Sequence, residues 1–186
     1  MIDAHLSALA ETALAARATM TPALEAACSA VAAAVGAGRK VLAFGNGGSA
    51  VQAQHFAAEL VVRYREDRPG LPSVALTCDG AILTACANDY SYDYVFARQV
   101  EALGAAGDVA LALSTSGTSP SVVKALEAAR GRGLVTILVT GLRGAAEAAK
   151  WDHGIVVPSS ETAHVQEVTL AVLHLLCQAA EKGVRS

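Results

Sequence analysis

The spacing of hydrophobic and polar positions changes character near residue 37. From about His5 to Val35, apolar residues recur at helical spacing. The pattern predicts two helices broken near Thr19–Pro22, where Thr21 offers a cap and Pro22 suits a first helical position. Gly36 and Gly38 end the second of them. Beyond them come short apolar runs: VLAFG at 41–45, SVALT at 73–77, DVALALS at 108–114, VTILVT at 135–140 and a weaker GIVVP at 154–158. Most are separated by helical stretches of ten to twenty residues. Alternating strands and helices predict βαβ units, hence a parallel sheet of five strands with helices on both faces. A last helix is expected from about Thr162 to Lys182, with Val165, Val168, Ala171, Val172, Leu175 and Leu176 on its apolar face and Gly183 at its end.

The whole chain of 186 residues reads as one domain over 1–186, with an N-terminal helical segment over 1–36 and an α/β core over 37–186. Composition adds that the chain is 53% hydrophobic but only 4% aromatic, so its helices are alanine-rich and suited to close packing and oligomer contacts. A formal net charge of −3 argues against binding nucleic acid by broad phosphate neutralisation. Cys28, Cys78, Cys86 and Cys177 form no C-x-x-C pair and sit among apolar residues, which predicts buried, reduced thiols. The first residues lack a basic leader and are interrupted by Asp3, Glu11 and Arg17, and no uninterrupted apolar run is expected to span a membrane. A soluble, cytoplasmic protein with no membrane partner is the expectation.

Two stretches repeat one plan of strand, small polar loop and helix: VLAFGNGGSAVQAQHFAAEL from Val41 and LALSTSGTSPSVVKAL from Leu111. Both loops should lie at the carboxyl edge of the sheet, where ligands bind in this architecture. In the second, Ser114, Thr115, Ser116, Thr118 and Ser119 supply hydroxyls, Gly117 permits an unusual backbone angle and Pro120 starts a helix. An ordinary cap and turn uses at most two of these five hydroxyls, so their density points to an anion, most economically a phosphate, at the helix N-terminus. In the first loop, GNGGSA also fits a degenerate dinucleotide fingerprint, with Asp79 as a distant ribose ligand. No G-x-x-x-x-G-K-[ST] motif occurs, so a sugar phosphate fits better than a nucleoside triphosphate.

If Ser49 caps the helix after the first loop, His55 and Glu59 project from one face within two turns. This spacing is that of a weak helix-stabilising pair and equally that of ligands for zinc or another divalent first-row ion. Their neighbours Phe56, Ala57, Ala58 and Leu60 suggest a substantially buried helix on which the pair needs partners. The last helix carries a second polar set, His164, Gln166, Glu167 and His174. For Gln166 and His174 the plain account is a hydrogen-bonded core residue, and for Glu167 an exposed one. Gln166 and His174 stand about 12 Å apart along a helix, so one ion reaches both only if the side chains lean together or separate subunits contribute. The charged loop RYREDRPGLP, from Arg63 to Pro72, is either a solvated connection or part of a binding site.

Taken together, GNGGSAVQAQHFAAEL, ANDYSYDYVFARQVEALG, STSGTS and QEVTLAVLH resemble the sugar isomerase (SIS) domain family, and within it the phosphoheptose isomerase family, over nearly the whole chain. The resemblance implies a three-layer α/β sandwich of flavodoxin-like or Rossmann-like type, with N-terminal helices for oligomerisation. It implies an aldose–ketose isomerase converting D-sedoheptulose 7-phosphate to D-glycero-heptose 7-phosphate, the first step of nucleotide-activated heptose biosynthesis. It also implies zinc, and a homotetramer with active sites between subunits. Carried over by motif, the zinc ligands are His55, Glu59, Gln166 and His174, and the proton carriers are Glu59 and His174. The implied substrate contacts are Asn46, Gly47, Gly48 and Ser49; Glu59; Asn88 and Asp89; Ser114, Thr115, Ser116 and Ser119; and Gln166. His164 departs from the family, standing where a basic residue is usual, and is expected at the pocket rim. Non-catalytic regulators of the same fold, which bind a replication initiator, share AQHFAA and ANDY but lack counterparts of Glu59 and His174, so retention of both favours an enzyme. Another sugar-phosphate enzyme on this fold is the third reading.

Overall fold

The computed structural model describes residues 1–184; the last two positions of the expected domain span lie outside the described residues. The expected strands form one parallel sheet in the order β2-β1-β3-β4-β5. They are β1 (Val41–Gly45), β2 (Ser73–Ala75), β3 (Val109–Leu113), β4 (Val135–Gly141) and β5 (His153–Val157). Register follows the apolar runs, with Val41 opposite Val109 and Val109 opposite Val135. β2 is shorter than SVALT suggested, pairing only through residues 73–75 at the sheet edge.

Strands without polar alternation arise because both faces are covered. One face carries Val41, Ala43, Leu111, Leu113, Ile137 and Ile155, under α1 (Ile2–Gly36), α2 (Gly48–Val61) and α7 (Thr162–Gly183). The other carries Leu42, Phe44, Ala110, Ala112 and Leu138. It packs under α3 (Gly80–Asp89), α4 (Ala97–Leu103), α5 (Pro120–Gly131) and the short α6 (Ala145–Ala148). Asp79 caps α3 by accepting the N–H groups of Ala81 and Ile82, which removes it from the ribose role. Cys86 and Cys177 are buried, whereas Cys28 is half-buried and Cys78 exposed, against the expectation for the latter.

The N-terminal segment is a single helix of 35 residues, not two. Pro22 withholds one backbone N–H. Thr19 and Thr21 do not cap anything; their hydroxyls turn back to the carbonyls of Ala15 and Arg17. The helix continues because its buried stripe of Ala16, Met20, Ala27, Val31 and Val35 runs unbroken across the proline, and α1 packs along α7 and β5. Tertiary burial outweighs the local preference for a break. Merged in this way, α1 is long and apolar enough by length and composition to cross a membrane, although Asp3, Glu11, Arg17 and Glu25 interrupt its apolar run. Its apolar stripe is instead spent on α7 and β5.

Candidate functional site

The strand order places β2 on one side of β1 and β3 on the other. The chain therefore leaves the carboxyl ends of β1 and β3 in opposite directions and opens a crevice there, the switch point at which this architecture binds ligands. Both Gly/Ser loops lie at it. In the first, Gly47 holds a φ of 56° and precedes the first residue of α2. A Cβ on Gly45 would lie 2.6 Å from the Leu113 carbonyl oxygen, so only glycine lets β1 and β3 end this close. Gly48 faces the amide of Gln166, whose Cδ is 3.1 Å from where a Cβ would stand. Ser49 is not the cap expected of it: the helix begins two residues earlier than that, with Gly47 at the cap position and Ser49 buried in the first turn.

The two loops are joined through Asn46. Its Nδ2 donates to Ser119 Oγ at 2.9 Å and Ser121 Oγ at 3.0 Å, and its Oδ1 accepts from the Tyr92 hydroxyl at 2.8 Å. Ser114 Oγ accepts the N–H of Gly117, whose φ is 72°. Between the loops is a cavity of about 320 Å³ lined by Asn46, Ser49, Ser114, Thr115, Ser116, Ser119 and Gln166, with Thr162 and Leu113. Two helix N-termini and a ring of hydroxyls suit an anion here. Tyr92, Ser121 and Thr162 escaped the sequence reading; Tyr92 stands in ANDYSYDY, but nothing local tied it to Asn46. Asn88 and Asp89 end α3, exposed and bonded to each other, outside this cavity. Thr118 is exposed too.

α2 and α7 run side by side in the same direction, because contacts advance along both together. Gly48 meets Gln166, the Gln52 side chain donates to the Gln166 carbonyl at 2.7 Å, and His55 meets His174. Their Nε2 atoms are 3.1 Å apart, and His55 Nε2 is 3.6 Å from Glu59 Oε1. Within one chain His55 thus stands against both Glu59 and His174, while Gln166 sits at the hydroxyl cavity, eight residues before His174. Tyr64 stacks on His174 with centroids 5.4 Å apart. The cluster is less buried than the apolar neighbours of His55 suggested: the side chains of His55 and Glu59 are 39% and 21% exposed. Two nitrogens on one tetrahedral zinc stand about 3.3 Å apart, from bonds of about 2.0–2.1 Å. The His55–His174 separation is within reach of that figure, and two imidazoles with a carboxylate match zinc chemistry.

The charged loop after α2 is a structural clamp. Glu181 on α7 accepts the N–H groups of Tyr64, Arg65 and Glu66 and the Nε of Arg68. Arg68 in turn donates to the carbonyls of Leu60 and Glu59 at 2.8 Å each, closing the end of α2 beneath the Glu59 side chain. Burial raises the Glu181 carboxyl, but the three N–H groups and the Arg68 guanidinium outweigh it and hold it below the usual range. Burial, with the charges of Glu59 and Glu181, pushes the nearby Cys177 thiol up to about 12.

The sheet order, the crevice and its paired loops define a class, and the SIS domain family profile matches residues 4–141. The chain belongs to the SIS domain family, in its phosphoheptose isomerase branch, and is an isomerase. The phosphoheptose isomerase of Bradyrhizobium sp. is 52% identical over 151 residues, 81% of this chain and 76% of the relative. The solved phosphoheptose isomerase of Neisseria gonorrhoeae is 38% identical with a TM-score of 0.89, covering 97% of each chain. That of Francisella tularensis is 34% identical with a TM-score of 0.92, covering 97% of this chain and 96% of its own.

Proposed function

We propose that the chain interconverts D-sedoheptulose 7-phosphate and D-glycero-heptose 7-phosphate, with zinc, as the first step of nucleotide-activated heptose biosynthesis. The observation that carries this reading is the layout along α2: the hydroxyl cavity at Ser49 and the His55–Glu59 pair share one helix, six residues or about 9 Å apart from Ser49 to His55, with His174 of α7 against His55. A seven-carbon sugar extended from its phosphate spans a comparable distance. The cavity holds the phosphate through Ser49, Ser114, Thr115, Ser116 and Ser119, with Asn46 in its wall and Gly47 and Gly48 at the start of α2 directly before Ser49. Gln166 contacts the substrate there; its further role as a zinc ligand rests on the family resemblance alone. The same holds for substrate contacts by Asn88 and Asp89.

Aldose–ketose exchange moves a proton between adjacent carbons through an enediol and needs a base and an acid. Glu59 takes the proton from the carbon bearing the hydroxyl; the electron pair of that C–H bond forms the carbon–carbon double bond as the neighbouring carbonyl oxygen gains a proton. The second carbon then receives its proton from the acid while the first oxygen gives up its own. His174 serves as the second carrier. Zinc, held by His55, Glu59 and His174, would polarise the two substrate oxygens. A carboxylate has two oxygens, so Glu59 would retain one for proton transfer, whereas His174 would carry a proton on its lone-pair nitrogen only while that nitrogen is off the ion. In the same reading the enzyme is a cytoplasmic homotetramer with sites at subunit boundaries, supported by the half-exposed His55 and by exposed Leu6, Leu14 and Leu175 on α1 and α7.

The test is conversion of sedoheptulose 7-phosphate by the purified chain, with and without chelator. Glu59→Gln and His174→Ala are each expected to lower turnover by about 10²–10⁴-fold. Parent rates in both variants would overturn the assignment, and binding without any conversion would mark a regulator instead.

A further inference from the structure

A second cluster of ligand-type side chains lies where the exposed start of α1 meets α7. His5 Nε2 is 2.8 Å from Glu167 Oε1, and the rings of His5 and His164 are 4.9 Å apart. His164 and Glu167, three residues apart, share one side of α7. Among the described residues, these three form the one group of three His, Cys, Asp or Glu whose candidate ligand atoms all lie within 4.8 Å of one another. An ion pair between His5 and Glu167 accounts for those two but leaves the third: His164 Nε2 is buried from water and has no hydrogen-bond partner. A buried polar atom without a partner is costly, and an ion at the centre of the cluster would satisfy it together with the other two. Glu167 is exposed, as expected, and its carboxylate is bonded to the His5 ring.

We propose that His5, His164 and Glu167 form a second divalent-metal site, taking Zn²⁺ or a similarly borderline first-row ion. Two imidazoles and a carboxylate are a zinc donor set, and the exposure of His5 and Glu167 leaves a fourth position to water. The site shares no ligand with the His55 cluster; His164 and His174 are ten residues, about 15 Å, apart along α7. Its effect is to fasten the first turns of α1, which precede the buried stripe beginning at Ala16, onto α7. The fastening is a consequence of binding the folded state alone.

The test uses the full chain without an affinity tag, stripped with chelator and titrated with Zn²⁺, and with Co²⁺ as a visible-absorption probe. His5→Ala and His164→Ala are each expected to bind one metal equivalent per chain fewer than the parent, and His55→Ala to keep that equivalent. Circular dichroism of the metal-free variants, unchanged from the parent, shows that the lost equivalent is not lost folding. Zn²⁺ is expected to raise Tm more in the parent than in His5→Ala. Equal stoichiometry in the parent and both variants overturns the site, and an equal Tm rise overturns the fastening. Failure of the His55 cluster to bind metal would show in the His55→Ala comparison and leaves this count untouched.

Discussion

Replacing Glu181 should destabilise the protein in a pH-dependent way. Its side chain is 5% exposed, and one carboxylate oxygen, Oε1, lies 3.2–3.3 Å from four donors: the N–H groups of Tyr64, Arg65 and Glu66, and Arg68 Nε. Glu181→Ala leaves three backbone donors and a 7%-exposed guanidinium without their acceptor. Breaking a buried pair from one side costs about 3–5 kcal/mol, against a total stability of about 5–15 kcal/mol. Glu181→Gln keeps an acceptor oxygen and loses the charge, for about 1–2 kcal/mol, the difference between charge-assisted and neutral hydrogen bonds. The folded state holds this carboxyl below its ordinary value of about 4.3, so its contribution is complete above that pH and is lost as pH falls through the depressed value. Denaturant unfolding of the parent and Glu181→Gln should therefore show the full gap at neutral pH and a narrowing gap below about pH 4. Equal midpoints at neutral pH, or a gap unchanged in acid, would refute the clamp.

Gly48→Ala should raise KM while leaving stability near the parent's, because the new methyl meets the far end of the flexible Gln166 side chain and displaces its amide from the cavity. An unchanged KM would remove Gln166 from substrate contact. Sedimentation equilibrium is expected to return the mass of four chains; a monomer at assay concentration would remove the proposed subunit boundary from the site.

Much of this protein was legible in its sequence, because strand runs, turn residues and helix periods are local properties. The five apolar runs became the five strands, Pro120 started α5, and the paired loops met at the crevice that parallel order requires. Helix α1 was misread at Pro22 because a local break signal was weighed without α7, whose packing surface carries the helix through. Along one helix, Gln166 and His174 reach a single ion only if their side chains lean together or separate subunits contribute; within this chain the parallel packing of α2 and α7 gives each its own partner, Gly48 for one and His55 for the other. The loop holding Arg68 read as either a solvated connection or part of a binding site, and nothing local tied it to Glu181, which folding buries with Arg68 at the end of α2. The sequence by itself determined which residue types stand on which element. Which of them touch was decided by how helices far apart in the chain cross the sheet, since packing depends on the whole buried surface and not on any one stretch.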